Sequence, residues 1–244
     1  GHEFVATPFG ALKASSLLGQ GHALAAERLL GFRPPVAMGL SSGETNSLFA
    51  FGVWRDMTAM FAALEQSGLY DTHLAGRLQA ARTHWALPAD RPLRWKSWLV
   101  SAPVAEVAER IEGIERVEIS IVLSPQSCIV SGPEEACAAA IERIGRDRVI
   151  EQTPTLICHS ALLGPFAGAW TAIHDRETHP RTDVRFYSQS HNGAYAPTRS
   201  TIRDALLDQA LRPIDFGATI DRAWRDGVRI FVEAGPRNIL SRSI

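Results

Sequence analysis

The residues best suited to do chemistry lie in one short stretch, Gly39-Leu40-Ser41-Ser42-Gly43, which follows the apolar run Val36-Ala37-Met38. The run predicts a buried strand, and the residues after Gly43 predict a helix. In a strand–turn–helix of this kind the serine hydroxyl stands clear of the sheet. The N–H of the next residue, at the start of the helix, can then donate to an oxyanion. The Gly-x-Ser-x-Gly spacing therefore predicts Ser41 as a nucleophile and Ser42 as an oxyanion donor.

A serine hydroxyl needs a general base, and among the eight histidines His159 is the strongest candidate. It directly follows the apolar segment 155–158, which we interpret as a short strand that delivers the imidazole to the edge of a sheet. The alternatives are that His159 is a core histidine, or that His191, in a turn, is the base. No aspartate is clearly placed to complete a triad, so a backbone carbonyl or a side-chain amide would have to orient the imidazole.

The composition is that of a globular protein with a sizeable core, since 45% of its 244 residues are hydrophobic and 21% are charged. The formal net charge of -1 gives no sign of a surface for nucleic acid or anionic membrane. No apolar run approaches the ~20 residues that span a bilayer, and no signal peptide is recognisable. The three cysteines show no Cys-x-x-Cys spacing. We therefore expect a cytoplasmic protein with reduced cysteines, no metal and no bound cofactor.

The order of predicted strands and helices divides the chain into two parts. Between residues 97 and 152 the order is β-α-β-β-α-β, the ferredoxin-like pattern in which two helices pack on an antiparallel sheet. Outside it, short apolar strands alternate with helices, which is typical of a mostly parallel sheet covered on both faces. Strands are predicted at 36–40, 96–101, 117–124, 127–131, 148–152, 155–158, 184–188 and 228–232. Helices are predicted at 8–30, 42–52, 55–66, 71–87, 103–112, 133–144, 161–174, 199–211, 216–225 and after 236.

These patterns predict an α/β fold with two subdomains. Residues 1–96 and 153–244 would form a large catalytic subdomain, and residues 97–152 an inserted ferredoxin-like subdomain. In open α/β sheets the active site lies beyond the carboxyl ends of the strands. Ser41, His159 and the turn after Val232 all follow predicted strands, so we expect them to share one site.

Five short segments occur in an order and spacing that resemble a known family: Gly39–Glu44, Ser124–Gly132, Cys158–Ser160, Arg212–Phe216 and Phe231–Pro236. They resemble the acyltransferase domains of fatty-acid and polyketide synthases, the malonyl-CoA:acyl-carrier-protein transacylase family. Within it, the chain most resembles the acyltransferases of polyunsaturated-fatty-acid or related synthases. The resemblance covers nearly the whole chain, and it implies an α/β-hydrolase-like large subdomain with a ferredoxin-like insert.

The resemblance implies a two-step transfer of an acyl group. Ser41 would attack the thioester of an acyl-CoA with His159 as general base, and the phosphopantetheine thiol of an acyl carrier protein would then take the acyl group. It also implies that a backbone carbonyl holds the histidine, and Gln209 matches that position. The implied partners are acyl-CoA, an acyl carrier protein and neighbouring synthase domains.

Three departures from the family pattern bear on activity and specificity. Leu40 stands where the family usually has histidine, next to the substrate pocket. Malonyl-selective members carry an arginine that binds the free carboxylate, and counting residues from Glu44 without gaps places Gln66 at that position. Malonyl preference is therefore in doubt, and a neutral acyl group becomes credible. Arg77 and Arg82 could substitute only if the backbone runs differently. The family's oxyanion glutamine lies in an early Gly-Gln-Gly, which we expect before this sequence, whereas Gly19-Gln20-Gly21 lies inside the first predicted helix.

Two other functions fit the same residues. A serine thioesterase or esterase would use the same Ser–His pair with water as the acceptor. A degenerate acyltransferase would instead serve as a docking module of a synthase and never acylate Ser41.

Overall fold

The computed structural model describes residues 6–236, 238, 240 and 241. The first five residues and most of the helix predicted after 236 lie outside this range. The helices are α1 Pro8–Leu30, α2 Ser42–Ala50, α3 Met57–Ser67, α4 Gln79–His84, α5 Val104–Ile111, α6 Glu134–Ile144, α7 Ala167–His174, α8 Arg199–Leu211 and α9 Phe216–Arg225. The strands are β1 Val36–Ala37, β2 Trp95–Ser101, β3 Glu118–Ser124, β4 Ser127–Pro133, β5 Val149–Gln152, β6 Arg185–Ser188, β7 Gly193–Tyr195 and β8 Ile214–Asp215.

Local capping explains where several helices begin. The side chains of Thr7, Asp56 and Asp215 each accept a hydrogen bond from a backbone N–H in the first turn of α1, α3 and α9. Thr198 and Thr201 form a reciprocal capping box at the start of α8. These side chains satisfy N–H groups that have no partner within the helix.

The sheet that carries the serine turn has three strands in the order β1-β6-β7. Strand β1 pairs with β6 in parallel, and β7 pairs with β6 antiparallel. The α/β class is therefore confirmed, but the described sheet is mixed rather than mostly parallel. Strand β7 was not anticipated from the sequence.

The second sheet has the order β5-β2-β4-β3-β8. Its first four strands are antiparallel and, with α5 and α6, reproduce the predicted β-α-β-β-α-β order. Strand β8 adds to β3 in parallel and comes from the chain far beyond this segment, with Ile214 opposite Ile121. The boundaries 97 and 152 for the small subdomain stay a prediction.

Three predicted elements are wrong. The helix predicted over 71–87 is broken into a π-helical turn at Leu69–His73 and the short α4, because Gly76 and Leu78 have positive φ values of 54° and 52°. The segments 155–158 and 228–232 are not strands in the structure. Both are apolar, and a short apolar run does not by itself distinguish a strand from a packed loop.

Two clusters of buried side chains correspond to the two sheets. The larger includes Leu48 of α2 and Trp54, which follows that helix, together with Phe186 of β6 and Leu206 of α8. The smaller lies between the five-stranded sheet and helices α5 and α6. Within the described residues, no helix has both the length and the apolar character needed to cross a membrane.

Candidate active site

Ser41 lies at the apex of a tight turn between β1 and α2. Its φ of 54° and ψ of -119° place a non-glycine residue in strained backbone space, a cost of order 1–3 kcal/mol that the surroundings must offset. A Cβ atom on Gly39 would overlap the backbone of Gly43, so the first glycine of the motif permits the close approach. A Cβ atom on Gly43 would meet nothing within 4 Å. The turn therefore requires the glycine before the serine and not the one after it.

His159 lies against Ser41 in the geometry of a nucleophile and its base. Its Nε2 is 2.8 Å from the Ser41 Oγ, and its Nδ1 is 2.6 Å from the backbone carbonyl oxygen of Gln209. A carbonyl oxygen can only accept, so Nδ1 carries the proton and donates to it. Nε2 is then the free acceptor for the serine hydroxyl. The carbonyl thus sets the tautomer that a general base needs.

The imidazole is held in its neutral form. His159 is buried, and burial lowers its pKa to about 4, although the hydrogen bond to the Gln209 carbonyl opposes that shift. At neutral pH the ring can therefore accept the serine proton without first losing one.

A loop, and not a strand, positions His159. The N–H of Ile157 donates to the Leu74 carbonyl at 2.7 Å, and the N–H of Ser160 donates to the Ala210 carbonyl at 3.1 Å. His159 itself has a φ of 54°. The first bond fixes the loop to the segment that contains Leu74, and the second fixes it to helix α8, which also supplies the Gln209 carbonyl. His159 thus lies beside Ser41 as predicted, but it is placed there by a loop and not by a strand.

Gln189 and Glu44 support the serine turn, and neither role was predicted from the sequence. The Gln189 side chain accepts from the Ser41 N–H at 3.1 Å and donates to the Gly39 carbonyl, so one amide links the backbone of the nucleophile to that of the residue two positions before it. The Gln189 N–H in turn donates to Glu44 Oε2 at 3.2 Å. Both side chains are buried. The only sequence signal for Gln189 was its place just after strand β6.

Glu44 is an acidic group inside the core beneath the turn. It is 1% exposed, and burial raises its pKa to about 7, with smaller opposing effects from the nearby polar groups of Ser188, Gln189 and Tyr195. Its Oε1 has no hydrogen-bond partner among the described residues. The carboxyl is therefore close to its titration point at neutral pH.

A cavity of about 320 Å³ opens onto Ser41 and His159. Ser42 and Gln209 line it as well. Cys158 is a further lining residue, and burial raises the pKa of its thiol to about 12, so it stays protonated beside the serine. A larger open depression of about 730 Å³ runs along residues 177–199 and contains neither Ser41 nor His159, so we assign the chemistry to the smaller cavity.

Leu40 and Gln66, predicted to contact substrate, do not line this cavity. Leu40 is half-buried, and its carbonyl accepts from the Gly43 N–H at 2.8 Å within the turn. Gln66 is exposed, because it lies about 200° around α3 from Leu64, which does face the cavity. A count along the sequence could not anticipate which face of α3 meets the cavity.

Other candidate residues also lie away from the cavity lining. Arg77 is exposed, and Arg82 donates to the carbonyls of Arg77 and Pro88. His191 is exposed and bonds its neighbour Ser190. Gln20 donates to the Asn46 carbonyl at 2.9 Å from α1, so it ties that helix to α2.

The chain is similar to parts of much larger synthases. It is 26% identical over 234 residues to a subunit of the polyunsaturated fatty acid synthase of Thraustochytrium sp., which covers 90% of the chain and 11% of that protein. It is 27% identical over 152 residues to mellein synthase of Phaeosphaeria nodorum, covering 60% of the chain and 8% of that protein. The chain thus spans about a tenth of the length of these relatives. No protein-family model matches it.

Solved acyltransferase structures share the fold. The acyltransferase domain of the second module of the salinomycin polyketide synthase matches with a TM-score of 0.74 and 21% identity, over 100% of this chain and 53% of that one. The malonyl CoA-acyl carrier protein transacylase of Coxiella burnetii matches with a TM-score of 0.79 and 20% identity, over 98% of this chain and 73% of that one. A malonyl-transacylase in complex with its type II polyketide synthase acyl-carrier protein matches with a TM-score of 0.79 and 17% identity, over 99% of this chain and 75% of that one. The predicted resemblance and fold are therefore confirmed.

Proposed function

We propose that this chain is an acyltransferase that moves an acyl group from coenzyme A to the phosphopantetheine thiol of an acyl carrier protein through an acyl-Ser41 intermediate. The observation that carries the proposal is the Ser41–His159–Gln209 arrangement, with contacts of 2.8 and 2.6 Å at the mouth of one cavity. The similarity to synthase acyltransferases supports this choice over other serine chemistry.

In the first half-reaction the Ser41 oxygen attacks the thioester carbonyl carbon, and its proton passes to His159 Nε2. The negative charge that develops on the carbonyl oxygen lies near the Ser42 N–H, which is the first of helix α2 and has no acceptor inside the helix. The positive end of the helix dipole stabilises the same charge. The carbon–sulfur bond then breaks, and His159 returns the proton to the coenzyme A thiolate.

In the second half-reaction the phosphopantetheine thiol attacks the acyl-serine. His159 takes the thiol proton and delivers it to the Ser41 oxygen as the carbon–oxygen bond breaks. The Gln209 carbonyl stabilises the imidazolium that forms in each half, because Nδ1–H continues to donate to it. The chain returns to its starting state without any bound cofactor.

The proposal is tested by intact-mass measurement after incubation with acetyl-, butyryl-, hexanoyl- and malonyl-CoA. We expect a mass increment equal to the acyl group with at least one thioester and none in Ser41→Ala. Subsequent addition of a phosphopantetheinylated carrier-protein domain should discharge the adduct and acylate the carrier.

Two outcomes would overturn this function. Loss of the adduct to free acid at a rate that the carrier domain does not change would make the chain a thioesterase. Absence of any adduct with every thioester, in protein shown to be folded, would favour a docking module.

A further inference from the structure

If the proposed function holds, the charge of the side chains around Ser41 decides which acyl groups can bind there. Among the described residues that line the cavity there is no lysine, arginine, aspartate or glutamate. The polar lining consists of hydroxyls, amides, one thiol and two histidines. None of the described lining residues therefore presents a fixed charge to the bound acyl group.

Apolar side chains from three helices form much of the wall. Met60 and Leu64 lie one turn apart on α3, and both are 3% exposed. Leu206 of α8 is buried, and Trp170 of α7 bonds its carbonyl at 3.0 Å through the indole N–H. That bond satisfies the indole nitrogen and leaves its ring as an apolar surface.

The two histidines add no positive charge. Burial lowers the pKa of both His159 and His174 to about 4. The His174 Nδ1 is 2.8 Å from the Trp170 carbonyl, so in the neutral ring this nitrogen carries the proton; the bond opposes the burial effect but is smaller than it. At neutral pH the lining is therefore uncharged throughout.

We propose that the acyl group taken by Ser41 is a neutral aliphatic group, and that acyl groups ending in a free carboxylate are disfavoured. A carboxylate bound here would lose its water without gaining a cation, which is the costly case for a buried charge. An aliphatic end would instead replace water against Met60, Leu64 and Trp170, which is favourable. Specificity then arises both from the apolar wall and from the missing cation.

A matched pair of thioesters separates charge from size. Isovaleryl-CoA and malonyl-CoA carry acyl groups with the same number of non-hydrogen atoms, but only malonyl ends in a carboxylate. With equal concentrations of the two in competition, we expect the isovaleryl adduct on Ser41 to form at least about 100-fold faster, since an unpaired buried charge is strongly unfavourable.

A variant pair then tests the cause. Met60→Arg places a cation in the wall and should shift the ratio of adducts towards malonyl, whereas Met60→Gln, which adds polarity without charge, should not. Equal or faster labelling by malonyl in the unmodified protein would overturn this inference and leave the acyltransferase function standing. No labelling by either thioester, nor by the acetyl, butyryl and hexanoyl compounds, would mean that the proposed function itself fails.

Discussion

The amide of Gln189 is predicted to hold the nucleophile in its reactive position. The side chain bonds the Ser41 N–H at 3.1 Å and the Gly39 carbonyl, one residue to either side of Leu40. Ser41 has the strained φ of 54°, and a strained residue persists only where neighbouring contacts over-determine it. Gln189 is 3% exposed, so water cannot easily replace its bonds.

The expected magnitude follows from the two bonds. Gln189→Met keeps the volume but leaves a buried N–H and a buried carbonyl without partners, at about 1–3 kcal/mol each, so the free energy of unfolding should fall by roughly 2–6 kcal/mol. A shift of the Ser41 oxygen by about 1 Å would slow acylation by about 100-fold. Gln189→Glu should have a stability and an acylation rate between those of the unmodified protein and Gln189→Met, because it can still accept from the Ser41 N–H but cannot donate to the Gly39 carbonyl.

The assay pairs single-turnover acylation of Ser41 with unfolding in urea. Acylation rates are compared without urea, under conditions in which each variant is folded, so that changes in rate and in the free energy of unfolding are measured separately. Gln126→Met is the matched control, since Gln126 is an exposed glutamine in the β3–β4 turn. If Gln189→Met acylates as fast as the control and unfolds with the same free energy, the bridge has no positioning role and the reasoning is wrong.

Three further predictions concern the same site. Because burial lowers the pKa of His159 to about 4, the acylation rate should be flat at neutral pH and fall only as the imidazole protonates near pH 4; a midpoint near 6.5 in a pH-jump experiment would contradict the buried, neutral ring. Glu44 binds its proton more tightly in the folded state (pKa about 7, against 4.5), so its contribution to stability is full below pH 4.5 and is lost as the pH rises through 7. That loss of unfolding free energy is about 3 kcal/mol, and Glu44→Gln, which has no carboxyl to titrate, should not show it in urea unfolding. If the unfolding free energies of wild type and variant differ by the same amount at pH 5 and pH 8, the prediction is wrong. Gly39→Ala should abolish acylation and lower the melting temperature, whereas Gly43→Ala should leave both nearly unchanged, since only the first Cβ would overlap backbone; equal effects of the two changes would refute this interpretation of the turn.

Features that depend on neighbouring residues could be predicted from the sequence. Helices α8 and α9 begin and end at the predicted residues, and their starts are fixed locally by the N-caps Thr198 and Asp215. The order of elements in the ferredoxin-like segment likewise follows from periodicity and turns between adjacent residues. Ser41 was identified because its motif, turn and helix are all contiguous in the chain. The pairing with His159 was predicted because both residues follow predicted strands, and the family resemblance supported it; no local pattern by itself shows a contact across 118 residues.

Features that depend on distant residues were decided by the tertiary structure alone. The segment 155–158 is apolar enough for a strand, yet its Ile157 N–H bonds Leu74 and leaves His159 on a loop. Gln189 reaches Ser41 across 148 residues, and no spacing rule in the sequence connects them. Gln66 has the position expected by counting but lies on the wrong face of α3, because packing fixes the rotation of that helix. The sequence thus determined which groups could react, and the packing determined which of them meet and what surrounds them.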